Sequence, residues 1–129
     1  MNRGKIKTKN LVIFLILLIG FSIGTVSHII DIEKFGFFGY KFAPYPLNVF
    51  WTFLVILDPL TIILIFFKLR YAIYLAISIM MLDITINLSY GITSGQIPIL
   101  LGLLSQIPFG IFVFSISVDV LKYDTITNF

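Results

Sequence analysis

The chain of 129 residues has no cysteine and one histidine. Without cysteine there is no disulfide framework, thiol nucleophile or thiolate metal site, and a single histidine cannot build a zinc centre of the His/Cys type. No GxSxG, GxGxxG or phosphate-loop pattern occurs, which removes the chemistries those motifs carry. Charge is scarce too. Asp, Glu, Lys and Arg make up 12% of the chain, against roughly 25% in a soluble domain. That deficit excludes an ordinary soluble fold, and the 14 Phe spread along the chain exclude disorder, which goes with few aromatics and much charge.

What the chain has in excess is apolar length: 59% of it is hydrophobic and the mean hydropathy is +1.08. A membrane helix takes roughly 20 residues, so the expected fold is an all-α membrane protein, an antiparallel bundle of four transmembrane helices forming a single domain over residues 1–129. The apolar runs fall at about 11–30, 47–67, 71–92 and 97–121. Lys9 precedes the first run, and Asp31 and Glu33 follow it. That run is longer than the 7–15 residues typical of a signal h-region, so an uncleaved first span is expected. Lys68 and Arg70 separate the second run from the third, a link short enough for an antiparallel hairpin. Thr93-Ser94-Gly95-Gln96 makes a polar turn before the fourth, where Pro98 suits a first helical turn.

Orientation follows from the basic residues. With the N-terminus inside, Arg3, Lys5, Lys7, Lys9, Lys68, Arg70 and Lys122 are cytoplasmic, and only Lys34 and Lys41 lie outside. Seven against two favours both termini inside. The outer loop, 31–46, then carries Phe35, Phe37, Phe38, Tyr40, Phe42 and Tyr45, a composition expected of a segment in the headgroup zone. The size, compact loops and Ile/Lys/Asn-rich usage suggest a bacterial plasma membrane.

Ionisable groups at membrane depth cost about 2.5–3.5 kcal/mol each on the insertion scale and need an explanation. Asp58 lies near the middle of span two, whose fifteen Leu, Ile, Val and Phe offset one acid. Asp83 lies near the middle of span three, with Asn87 four residues on and on the same helical face. Counting depth along antiparallel spans puts His28, Asp58, Asp83, Asn87 and Gln106 between the midplane and the outer surface, where they can form one polar pocket. Trp51 shares a face with Asp58, and Asn48 lies nearby on that helix. Gly20, Gly24, His28 and Asp31 form one stripe on span one. Gly20/Gly24 and Gly102/Gly110 read as packing seams of small residues. Pro59 and Pro108 free the carbonyls of Val55 and Leu104.

The expected site is therefore a ligand-binding pocket of His28, Trp51, Asp58, Asp83, Asn87 and Gln106 for a lipophilic or cationic small molecule or a lipid. A His/Asp/Asp set can do acid–base work, bind a cationic amine or relay protons, and the spacing does not separate these. Two alternatives stand beside ligand binding: a small proton-coupled transporter and a non-catalytic assembly subunit. No metal or cofactor is expected. The expected partners are the lipid bilayer, such a ligand and a second copy of the chain as a homodimer; nothing points to nucleic acid.

Ser27-His28-Ile29 followed by acids at the end of span one, an acid with proline in span two (Asp58-Pro59) and a proline-broken fourth span (Pro108) resemble the EXPERA family. That family includes the sigma-2 receptor and the emopamil-binding sterol isomerase. The resemblance covers the chain in architecture and a handful of positions in detail. It implies a lipid-accessible pocket for a sterol-like or cationic amphiphile, with His28, Asp58 and Asp83 around it. If there is catalysis, it implies isomerase-like acid–base chemistry. The chain departs from that pattern in having Asp rather than Glu, a short outer loop and one His, which weighs against isomerase activity more than against ligand binding.

Overall fold

A computed structural model describes the backbone of residues 3–127 and the side chains of residues 9–122. Arg3, Lys5 and Lys7, on which the charge bias partly rests, lie outside the described side chains. The elements are four helices: α1 (Arg3–Phe35), α2 (Tyr45–Phe67), α3 (Leu69–Ser94) and α4 (Ile97–Thr127). No strand occurs among the described residues. Each helix contains a stretch long and apolar enough to cross a membrane, the shortest being Tyr45–Phe67 with 23 residues. At about 1.5 Å per residue that exceeds the ~30 Å hydrocarbon core. The protein is a multi-pass, all-helical membrane protein.

The connection after α1 is shorter than the expected 31–46. The helix continues through Asp31 and Glu33 to Phe35, so these acids belong to its last turns and the loop is 36–44. The stop is set by Gly36, whose φ of 86° suits a residue without Cβ and whose N–H closes on the Ile32 carbonyl at 2.8 Å. Gly95 ends α3 in the same left-handed conformation, with φ 69°. Lys68 alone interrupts the helices between α2 and α3. Pro59 and Pro108 lie inside α2 and α4, which continue past them.

The chain divides into two compact units, Met1–Phe67 and Lys68–Phe129. In the first, α1 and α2 run in opposite directions: Phe14 meets Phe66 edge-on at 5.2 Å, while Gly24 and His28, further along α1, meet Asp58. Leu17 and Phe21 are buried on the α1 stripe that continues into Gly24 and His28, an i, i+4, i+7, i+11 pattern that keeps one face inward. Leu11, Leu15, Ile19, Ile23 and Val26 are exposed, the inversion of soluble patterning expected where lipid is the solvent.

In the second unit α3 and α4 also pack antiparallel. The inward stripe of α3 is Ala72, Ala76, Met80, Asp83, Asn87 and Gly91. Gly91 lies under Leu100, and Gly110 lies under Ile84, where an added Cβ would come within 2.6 Å and 2.5 Å of side-chain carbons. Small residues here bring the helices close, the usual means of helix association in lipid. Gly102 is different, since a Cβ there would meet nothing nearer than Gln106 Nε2 at 3.9 Å.

Candidate functional site

Two polar clusters are built on these helices, one in each unit. The first is built on α1. Gly24, His28 and Asp31 are spaced four and three residues apart and therefore share a face. Gly24 abuts the Asp58 carboxylate, so closely that a Cβ at position 24 would overlap Oδ2 and lie 3.3 Å from Cγ. One turn on, His28 Nε2 lies 3.9 Å from Asp58 Oδ2. The other ring nitrogen, Nδ1, lies 3.3 Å from the Tyr40 hydroxyl, and that hydroxyl donates to Asp31 Oδ2 at 2.7 Å. Four ionisable side chains thus form a series from the loop end of α1 to the middle of α2, hydrogen-bonded from Asp31 through Tyr40 to His28 and open by 3.9 Å between His28 and Asp58.

Tyr40 owes its place to Asn48 and Trp51. Buried Asn48 accepts at Oδ1 from the Tyr40 backbone N–H at 3.2 Å and from Thr52 Oγ1 at 3.3 Å. Its Nδ2 donates to the Phe38 carbonyl at 2.9 Å. One amide side chain therefore clamps the loop at two points. Phe38 has a φ of 55°, a left-handed conformation that costs a residue with a Cβ about 1–2 kcal/mol and persists where its surroundings over-determine it. Trp51 is buried, and the Tyr40 ring stands edge-on to it at 5.4 Å. Trp51 is thus the wall behind Tyr40.

The second cluster joins α3 to α4. Asn87 Nδ2 donates to Asp83 Oδ1 at 3.0 Å, one turn back on the same helix, and to Gln106 Oε1 across the helix pair at 2.9 Å. Asp83 is 8% exposed and Asn87 6%. The acid is therefore held by an amide in an apolar setting, and no ion pair to Asp83 occurs among the described residues.

Of the residues expected to line one pocket, His28 and Asp58 come together in the first unit, with Trp51 behind Tyr40. Asp83, Asn87 and Gln106 come together in the second. Tyr40 and Asn48 join the site beyond those residues: in the sequence Tyr40 is one aromatic among several in the loop, and Asn48 a neighbour of Trp51 and Asp58. The signal for Asn48 lay in its spacing on α2, whereas nothing periodic marks Tyr40. No group of three or more His, Asp or Glu able to hold a metal ion occurs among the described residues. No protein-family model, curated protein or solved structure matches the chain.

Proposed function

We propose that this chain is an antiparallel bundle of four transmembrane helices with both termini on the cytoplasmic side of a bacterial plasma membrane, and that it binds a lipophilic cation through the intramembrane carboxyl of Asp83. The orientation rests on the basic residues, seven of nine falling on one side. Binding rests on one observation above all: Asp83 is buried, accepts a hydrogen bond from the Asn87 amide and takes part in no ion pair among the described residues. A carboxylate in an apolar span is strongly disfavoured without a compensating positive charge. Asn87 fixes its orientation but supplies no charge, so a cation arriving from the lipid gains an attraction that water would otherwise weaken. The EXPERA resemblance implies a ligand of the same kind, a cationic amphiphile.

The test is thermal unfolding of the detergent-purified protein with tetraphenylphosphonium, a long-chain alkylammonium or a neutral sterol added. The cations are expected to raise the midpoint and the sterol to leave it unchanged, since a ligand stabilises only the state it binds. Asp83→Asn keeps the size and the hydrogen-bonding partner, and is expected to abolish the shift. An equal shift in the variant, or none in the wild type, overturns the reading.

A further inference from the structure

The series Asp31, Tyr40, His28, Asp58 has a direction. A hydroxyl has one hydrogen, and Tyr40 gives its own to Asp31 Oδ2. Its oxygen is then left to accept from His28 Nδ1 at 3.3 Å, an arrangement that requires the tautomer with its proton on Nδ1. Nε2, the other ring nitrogen, faces the Asp58 carboxyl. Two arrangements satisfy that pair: a neutral imidazole against a carboxylic acid, or an imidazolium against a carboxylate. Both contain the same number of protons and differ only in which atom holds one.

We propose that His28, Tyr40 and Asp31 form a path that carries protons between the buried carboxyl of Asp58 and the membrane face on which the α1–α2 loop lies. Outward transfer breaks the Asp58 O–H bond and forms His28 Nε2–H. The Nδ1 proton passes to the Tyr40 oxygen, and the original Tyr40 hydroxyl proton passes to the Asp31 carboxylate. Asp58 ends ionised, Asp31 ends protonated, and His28 ends neutral as its other tautomer. The reverse sequence reloads Asp58, so no net charge accumulates on the imidazole or the phenol. The gap from Nε2 to Oδ2 is 3.9 Å, and an approach of about 1 Å brings it to hydrogen-bond length. The gap is thus the step that opens or closes the path.

The surroundings fit such a path. On α2 and the loop the titratable side chains are Asp58, Tyr45, Tyr40 and Lys41; Asp58 and Tyr40 face His28, and Tyr45 and Lys41 are exposed. On α1, Asp31 lies three residues on, and Glu33 and Lys34 are exposed. Asn48 and Trp51 hold Tyr40 by its backbone and its ring, and its hydroxyl bridges His28 and Asp31. Asp31 is partly exposed, as the outer terminus of a path must be.

Because His28 is the only histidine, protein labelled with 15N-histidine and purified through a histidine-free tag reports on this one ring. In lipid bilayers the Nδ1 site is expected to be protonated, and its proton to exchange with solvent deuterium. Tyr40→Phe keeps the ring against Trp51 and removes only the hydroxyl; exchange is expected to slow by about tenfold or more. Asp31→Asn is expected to slow it in the same direction. Asp58→Asn is expected to shift the pH at which the ring titrates, while Trp51→Phe, which disturbs packing but leaves every relay group, is expected to slow exchange less than Tyr40→Phe. Unchanged exchange in both Tyr40→Phe and Asp31→Asn, or an unprotonated Nδ1 in the neutral wild-type ring, overturns the proposal. No ligand is added, so failure of cation binding at Asp83 leaves this readout unaffected.

Discussion

Gly24 of α1 lies directly against the Asp58 carboxylate of α2, with no space between them for a Cβ. The glycine is thus there for the acid as well as for the approach of two helices. Gly24→Ala is expected to displace the carboxylate and destabilise the protein by about 1–3 kcal/mol, the usual cost of overpacking. Gly102→Ala is the contrasting case, since an added Cβ there meets only Gln106 Nε2 at 3.9 Å. It is expected to be neutral or to stabilise by up to about 1 kcal/mol through helix propensity. Unfolding midpoints of both variants in one detergent check this; equal effects would falsify the distinction.

Asn48 supports the loop at the Phe38 carbonyl and the Tyr40 N–H. Asn48→Ala removes both of those bonds and the one from Thr52, and leaves Phe38 in its left-handed conformation without support. A loss of about 1–3 kcal/mol is expected. Thr52→Val removes one of the three bonds and is expected to cost about 1 kcal/mol or less. Besides stability, the His28 ring signal separates them: Asn48→Ala releases Tyr40 and should move it, and Thr52→Val should not. A His28 signal unmoved by Asn48→Ala means that Tyr40 is held by its ring alone.

The four helices were legible from apolar run length because the bilayer thickness imposes a length on each span. Where a run is bounded by charge, as at Lys68, the boundary came close. It failed at Asp31 and Glu33, because acids at the end of a membrane helix do not by themselves stop it; Gly36, with its positive φ, does. Spacing along single helices brought out the shared faces of Gly24, His28 and Asp31 and of Asp83 and Asn87. Depth counting puts His28, Asp58, Asp83, Asn87 and Gln106 at one level without saying which of them meet; contacts join His28 to Asp58 and Asn87 to Asp83 and Gln106. Tyr40 follows from neither spacing nor depth. Its position depends on Phe38 adopting φ 55° and on Asn48 bonding to the loop from ten residues away, and neither leaves a periodic mark.

The Asp83–Asn87–Gln106 series makes Asn87 the shared member. Asn87→Leu strips partners from Asp83 and Gln106 together and is expected to destabilise more than Gln106→Leu, which leaves the Asp83 bond intact. Interhelical hydrogen bonds in lipid are worth about 0.6 kcal/mol on average and 1.7 at most. A double-mutant cycle between Asn87 and Gln106 is therefore expected to give a coupling in that range. A coupling near zero means the contact stabilises nothing. A value well above the range means that other groups respond to its loss.

Orientation can be read without background because the chain has no cysteine. Single cysteines replacing Phe37, Phe67 and Ser94 leave every basic residue in place, and all three positions are exposed at or beside helix ends. With both termini cytoplasmic, positions 37 and 94 lie outside and position 67 inside. A membrane-impermeant maleimide added to intact cells is expected to label Phe37→Cys and Ser94→Cys, and to reach Phe67→Cys only after permeabilisation. The reverse pattern would mean that seven basic residues on one side do not set this topology, against the ordinary action of the charge bias. It would also move the proton path's Asp31 end to the cytoplasmic face, since Asp31 and Phe37 flank the same end of α1.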